Sequence, residues 1–132
     1  MITNILIIDD NIDDIELTRI AILAARPDTQ IITARSGETA LELLKNETDL
    51  PSVILLDLKM CGMSGIEALR HIRADSRLKG LPIVIVTSSS LPYDEKESYR
   101  AGADGYLHKA LDLQQFKDDI KALLARWAPE RS

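Results

Sequence analysis

Polar residues that could bind a metal ion or a phosphate group follow the short apolar segments of this sequence. Asp9 and Asp10 come directly after a first run of Ile and Leu, and Asp57 follows a second run of the same kind. Thr87 follows a third run, and Lys109 stands just after a weaker fourth one. Four-residue runs of Ile, Val and Leu are typical of strands buried on both faces of a parallel sheet, and ligands bind at the carboxyl ends of such strands. The sequence therefore predicts that three carboxylates, a hydroxyl and an ammonium group meet at one edge of a sheet.

Three carboxylates at one place point to a divalent cation. Two carboxylates about 4 Å apart repel by about 4 kcal/mol at an effective dielectric constant of about 20, so such a site raises pKa values or holds a cation. Oxygen ligands without His or Cys favour Mg²⁺, with Mn²⁺ as the alternative. A metal beside a carboxylate can neutralise an incoming phosphoryl group, and aspartate can accept phosphate covalently. Asp57 is the best candidate acceptor because it stands alone at its strand end, and Thr87 and Lys109 could contact phosphoryl oxygens.

Each of these residues also has a purely structural interpretation. Asp9 and Asp10 are compatible with a cap on the first helix, Thr87 with the start of a Ser-rich loop. Lys109 alone is compatible with a solvent-facing charge. Their occurrence on consecutive strand ends, in the right order, favours a shared site.

Strand and helix patterns alternate five times along the chain. Helices are predicted over residues 12–26, 36–46, 65–73, 93–101 and from 113 to about 127, and residues 30–34 predict an edge strand. Alternating elements with short loops indicate an α/β fold, a flavodoxin-like doubly wound (βα)5 sandwich with a parallel five-stranded sheet of order 2-1-3-4-5. Its switch point lies between strands 1 and 3, which carry Asp9, Asp10 and Asp57. The fourth helix is short and polar, which predicts a loosely held element.

Composition restricts the class of protein. At 132 residues the chain fits one domain, and its net charge of −5 argues against a nucleic-acid-binding surface. No apolar stretch approaches the roughly 18 residues that span a bilayer. One cysteine, Cys61, excludes an internal disulfide and gives no metal-binding spacing. We expect a cytoplasmic protein with no leader segment, in which residues 1–132 form one domain without an output domain.

The segments that carry these residues resemble a known family. The sequence is similar to the receiver domain of two-component response regulators over essentially its whole length, in residues 5–11 (ILIIDDN), 53–60 (VILLDLKM) followed by Gly65, 84–89 (VIVTSS) and 102–109 (GADGYLHK). Four such segments at these spacings are specific. The chain looks like the single-domain branch. In the fifth helix, with Phe116 and Trp127, it is similar to members that partner phytochrome-type histidine kinases.

The resemblance implies a role for each carboxylate. Asp57 would be the phosphoacceptor, taking a phosphoryl group from a histidine kinase or a histidine phosphotransfer protein. Asp9 and Asp10, with Asp57 and the backbone carbonyl of Lys59, would hold Mg²⁺. The protein would be a signalling protein rather than an enzyme, although it would promote its own phosphorylation and dephosphorylation.

The resemblance also implies a switch. Thr87 and Lys109 would bind phosphoryl oxygens, and Thr87 together with Tyr106 would change the surface of the fourth helix, fifth strand and fifth helix. A homodimer through that surface is a further expectation. The output would come from a separate downstream protein.

Two departures from the family pattern leave an alternative open. Cys61 and Ala110 stand where the family usually has proline, the second after a cis bond. A cis bond before another residue costs about 2.5–4 kcal/mol, so the sequence leaves open whether the bond after Lys109 is cis or trans. The alternative is a receiver-like binding module that works without phosphorylation. A phosphohydrolase is disfavoured because Lys59 stands where a second acid is needed, and a flavodoxin-like cofactor carrier lacks its Ser/Thr-rich phosphate loop.

Overall fold

The computed structural model describes residues 3–46 and 50–129, so both ends of the predicted 1–132 domain lie outside the described residues. The strands are β1 (Asn4–Ile8), β2 (Gln30–Ala34), β3 (Val53–Leu56), β4 (Ile83–Thr87) and β5 (Gly105–His108). The helices are α1 (Ile12–Ala25), α2 (Gly37–Asn46), α3 (Gly65–Ala74), α4 (Pro92–Ala101) and α5 (Leu113–Trp127). A short 3-10 turn at Ser76–Leu78, which the sequence did not predict, follows α3. No helix in the described parts of the chain is long and apolar enough to cross a membrane.

The five strands form one parallel sheet in the order β2-β1-β3-β4-β5, as predicted. Alternate residues of each central strand point to opposite faces, because side chains in a strand alternate with a period of two. In β1, Ile5 and Ile7 join one core, whereas Leu6 and Ile8 join the other. The central strands can be apolar throughout because both of their faces are covered.

Helices cover both faces of the sheet. Residues of α1 and α5 pack into one core, and residues of α2 and α3 pack into the other. α4 is held more weakly, since Ser98 is its one buried residue. This agrees with the weak apolar face that its sequence predicts.

The starts of α1 and α5 are fixed by side chains that accept hydrogen bonds from backbone N–H groups of the first helical turn, as is common at N-caps. Asn11 accepts from the N–H of Asp14 and so caps α1. Asp112 caps α5 in the same way, since its side chain accepts from the N–H of Gln115. The capping interpretation of Asp9 and Asp10 is therefore wrong, because Asn11 performs that role and leaves both carboxylates to the sheet edge.

Arg73 ties the end of α3 to the elements around it. Its side chain is 17 % exposed and pairs with Asp104 at 2.8 Å. The guanidinium also donates to the carbonyl oxygens of Leu78, Lys79, Leu81 and Gly102 at 2.9–3.3 Å. Asp104 in turn accepts from the N–H of Ile83 at 2.8 Å. One side chain thus connects α3, the C-terminal end of α4 and the start of β4.

Candidate functional site

The register of the sheet brings the predicted carboxylates together. Ile8 of β1 pairs with Leu56 of β3, so the residues that follow, Asp9 and Asp57, lie side by side. One carboxylate oxygen from each of Asp9, Asp10 and Asp57 lies within 4.8 Å of the others. The fold therefore brings together three carboxylates from the ends of two strands, β1 and β3.

Asp57 is held by the backbone around it. Its N–H donates to the carbonyl of Ile8 at 2.9 Å, and its Oδ1 accepts from the N–H of Leu58 at 2.9 Å. The residue is only 8 % exposed. One carboxylate oxygen is therefore fixed by a hydrogen bond, while Oδ2 lies 3.8 Å from the Lys109 ammonium.

Gly65 allows α3 to begin directly beside the acceptor. A Cβ at this position would lie 2.2 Å from the carbonyl oxygen of Asp57 and 2.7 Å from the Cα of Leu58. Real atoms cannot approach so closely, so any other residue would push the helix or the strand end away. The N–H of Gly65 uses the approach to donate to the carbonyl of Leu58 at 2.9 Å.

Asp9 and Asp10 have different surroundings. Asp9 is 3 % exposed, and its Oδ1 accepts from the N–H of Asn11 at 3.0 Å. Asp10 is half-buried, and its Oδ2 accepts from the N–H of Cys61 at 2.9 Å. The site therefore has one closed side at Asp9 and one side at Asp10 that water can reach.

Lys109 supplies the positive charge. Its N–H donates to the carbonyl of Thr87 at 2.8 Å, which fixes the residue beyond the end of β5. Its Nζ lies 2.9 Å from Asp9 Oδ2, 3.0 Å from Asp14 Oδ2 and 3.8 Å from Asp57 Oδ2. The described residues contain no cis peptide bond, so the bond after Lys109 is trans. The ammonium reaches the carboxylates with that geometry.

The pKa values show how the charges balance. The pKa of Asp57 is raised, mainly because burial disfavours its charged form. The charge of Asp9 raises it further, while the Lys109 ammonium and the Thr87 hydroxyl oppose the rise. Burial by itself would lower the pKa of Lys109, but its partners Asp9, Asp57 and Asp14 outweigh burial, and this pKa is raised. These surroundings thus destabilise the charged form of Asp57 and stabilise the charged form of Lys109.

Thr87 and Tyr106 meet at the loop that follows β4. Thr87 is fully buried, and its Oγ1 accepts from the N–H of Ser89 at 3.3 Å. The hydroxyl of Tyr106 donates to the carbonyl of Ser89 at 3.1 Å. The two residues predicted to form a switch therefore hold neighbouring atoms of one loop residue, which links the strand end to β5.

The donor set fits a hard divalent cation. The cluster offers only carboxylate oxygens, and Asp10 leaves room for water, which Mg²⁺ retains when it binds to proteins. The Lys109 ammonium offsets one negative charge out of three. Lys59 lies in the loop after β3 with its side chain exposed, and the role of its carbonyl oxygen stays a prediction.

Sequence reasoning missed Asp14. This residue lies on the first turn of α1 and carries one of the two short ion pairs of Lys109. The partners are 95 positions apart, and an acidic residue in the first turn of a helix already has an ordinary explanation in the helix dipole. No local pattern could have distinguished the two roles.

Comparison with known proteins gives the same picture over the whole chain. The sequence model described as "Response regulator receiver domain" matches residues 5–121. The polar-differentiation response regulator DivK of Brucella ovis is 30% identical over 124 residues, which cover 94% of this chain and 98% of that protein.

Two solved structures are similar in both fold and sequence. The phosphorylated cyanobacterial phytochrome response regulator RcpA superposes with a TM-score of 0.90 at 28% identity, covering 100% of this chain and 98% of that one. The Mn²⁺-bound form of response regulator Rcp1 superposes with a TM-score of 0.85 at 26% identity, covering 98% of this chain and 97% of that one.

Proposed function

The chain belongs to the family of response regulator receiver domains, and from that premise we propose that it accepts a phosphoryl group on Asp57 from a histidine kinase or a histidine phosphotransfer protein. Phosphorylation then changes what the protein binds. One observation carries the proposal above all others: a nearly buried carboxylate at the end of β3 lies between two further carboxylates and one ammonium group.

The residues proposed to hold the metal are Asp9, Asp10 and Asp57, with the carbonyl of Lys59. We propose Mg²⁺ as the resident ion and Mn²⁺ as a substitute, which is supported by the oxygen-only donor set and by the Mn²⁺-bound form of Rcp1. When bound, the ion neutralises charge on the carboxylates and on the phosphoryl oxygens.

The chain's own residues then perform the transfer. The second carboxylate oxygen of Asp57, Oδ2, attacks phosphorus and forms the new O–P bond. The P–N bond to the donor imidazole breaks, and its electron pair stays on nitrogen. The hydrogen bond from Leu58 N–H to Oδ1 keeps the carboxylate oriented for this attack. Lys109 and Thr87 are proposed to contact the incoming phosphoryl oxygens, and fixed groups of this kind act mainly by positioning and by charge stabilisation.

The readout is proposed to pass through Thr87 and Tyr106. A Thr87 hydroxyl that donates to a phosphoryl oxygen would move towards it, and this movement would displace the oxygen that accepts from Ser89 N–H. The hydroxyl of Tyr106 donates to the carbonyl of the same residue. Phosphorylation would therefore favour one of two arrangements of this loop and of the weakly anchored α4, which is a population shift.

The surface formed by α4, β5 and α5 is the proposed output face. A groove there of about 340 Å³ is lined by apolar and aromatic side chains such as Leu123 and Trp127, and also by the charged residues Asp104, Asp119 and Arg126. We propose that a downstream protein or a second copy of this chain binds at this face. Nucleic acid and membranes are not among the proposed partners.

The protein is proposed to act as a signal carrier rather than as an enzyme with turnover, because Asp57 is consumed when it is modified. A cytoplasmic location is part of this proposal, since a kinase phosphohistidine is made from cellular ATP.

The test is phosphorylation by acetyl phosphate with and without Mg²⁺, followed by intact mass. We expect one added phosphoryl group in the wild type with Mg²⁺, none with a chelator, and none in Asp57→Asn. The exposed Asp28→Asn is the matched control and should behave as the wild type. An unmodified wild type in millimolar Mg²⁺ would overturn the proposal in favour of a phosphorylation-independent binding module.

A further inference from the structure

Asp14 binds the lysine of the site from outside the carboxylate cluster. Its Oδ2 lies 3.0 Å from Lys109 Nζ, and its side chain is 35% exposed. Its backbone has separate functions, because its N–H donates to the cap residue Asn11 and its carbonyl accepts from Thr18. The carboxylate can therefore be changed without removing the hydrogen bonds that start α1.

The Lys109 ammonium lies near three carboxylates, but its distances to them are unequal. An ammonium group has three donors, and the distances of 2.9 Å to Asp9 and 3.0 Å to Asp14 are full charge-assisted hydrogen bonds. The distance of 3.8 Å to Asp57 is too long for one. The ammonium is thus drawn to the α1 side of the site, away from the oxygen on which a phosphoryl group would arrive.

We propose that Asp14 is a positioning residue that holds Lys109 on the α1 side and competes with a phosphoryl group on Asp57 for the ammonium. This inference rests on the proposed function of Asp57. Asp14 therefore slows phosphorylation, because the Lys109 ammonium must leave the Asp14 carboxylate, wholly or in part, before the ammonium contacts phosphoryl oxygens.

Asp14 competes with the phosphoryl group for the Lys109 ammonium more strongly than Asp9 does. Asp9 is a proposed metal ligand, so its charge is compensated by the ion in the metal-loaded protein. Asp14 stands outside the cluster of carboxylates that can share a metal, and its charge remains available to Lys109.

The first measurement is the rate constant of phosphorylation by acetyl phosphate at saturating Mg²⁺. Asp14→Asn is expected to raise it about threefold to fivefold, the size that a partly exposed ion pair supports. Asp14→Glu, which keeps the charge, should restore most of the wild-type rate. The control is Asp13→Asn, an identical charge change on the same helical turn, which should stay within about twofold of the wild type.

Two further measurements separate positioning from a general effect of charge. In a Lys109→Met background, Asp14→Asn should leave the rate unchanged, because the two residues then have nothing to share. A crystal structure of metal-free Asp14→Asn should show Lys109 Nζ closer to Asp57 Oδ2, at about 3 Å, against 3.8 Å here.

The outcomes are distinct. A wild type that phosphorylates, with Asp14→Asn no faster than Asp13→Asn, overturns the role of Asp14 and leaves the proposed function intact. An equal rise in the presence and absence of Lys109 also overturns it. A wild type that takes up no phosphoryl group overturns the proposed function, and the inference falls with it.

Discussion

Asp57→Asn should stabilise the metal-free protein, although it removes the residue on which the proposed function depends. The variant keeps an oxygen that can accept from the N–H of Leu58, so the local hydrogen bond survives. It removes a buried negative charge whose pKa is raised by that burial. A group that is strained in its charged form destabilises the fold wherever it is charged.

The magnitude follows from the distances. Asp9 and Asp10 lie within 4.8 Å of Asp57 and each repels it by about 3.5 kcal/mol at an effective dielectric constant of about 20. Lys109 at 3.8 Å attracts it by about 4.4 kcal/mol on the same scale. The net repulsion is about 2.6 kcal/mol. Screening of the half-buried Asp10 reduces this repulsion, whereas the burial of the Asp57 charge adds to the destabilisation, so we expect a gain of about 1–2 kcal/mol in the free energy of unfolding.

The assay is urea denaturation in a chelating buffer at neutral pH and low salt, with Asp28→Asn as the exposed control. The pH dependence has a definite sign. The strain of Asp57 is absent below the ordinary pKa of 3.8 and develops as the pH rises through the higher pKa of the folded state. The advantage of the variant should therefore shrink as the pH falls towards 3.8.

Adding Mg²⁺ should also reduce the stability difference between Asp57→Asn and the wild type, because the ion should stabilise the wild type more. A ligand at ten times its dissociation constant stabilises the folded protein by about 1.4 kcal/mol, and the wild type should bind Mg²⁺ more tightly than the variant. If the metal-free variant were equally or less stable at neutral pH, burial and repulsion together would not be destabilising the charged form of Asp57, and the reasoning would be refuted.

Two further changes test how the site is supported. Gly65→Ala should lower the free energy of unfolding by about 1–3 kcal/mol and slow phosphorylation, because the new Cβ would collide with the carbonyl of Asp57. Urea denaturation measures the first effect, and acetyl phosphate kinetics measure the second. Gly80→Ala is the neutral control, because a Cβ there would have nothing within 4 Å. Arg73→Ala should cost about 2–4 kcal/mol, because it leaves several carbonyl acceptors, most of them partly buried, without their partner. Arg70→Ala, at a side chain that is 62 % exposed with a 4.0 Å pair, should cost under about 1 kcal/mol, and thermal unfolding measures both. Equal losses within either pair would contradict these accounts.

The strand ends could be predicted because burial leaves a direct trace in the sequence. A strand covered on both faces must be apolar throughout, so Asp9 and Asp57 mark the points at which the chain leaves the core. The helix bounds were predicted to within one residue, since residues such as Pro27, Gly102 and Asp112 are local stop and start signals. Parallel pairing then brought the polar ends to one edge.

What could not be predicted depends on contacts between distant residues. The pair of Asp14 with Lys109 and the bonds of Arg73 to several carbonyls have no spacing or periodicity that reveals them. Because Ala110 stands where the family usually has proline, the sequence left open whether the bond after Lys109 is cis or trans. The structure shows that this bond is trans. Asn11 took the cap because it is the residue next to the helix start, which leaves Asp9 free to point along the sheet edge.

The single tryptophan of this chain packs against the first residue of β5, where a Cβ on Gly105 would lie 3.1 Å from Trp127 Nε1. Lys109 follows the other end of that strand, about 13 Å away at the usual rise per residue. The indole is thus an intrinsic optical probe that a metal among the carboxylates cannot quench by contact. A change in Trp127 emission on adding Mg²⁺ would show that metal binding at one end of β5 changes the structure at the other end.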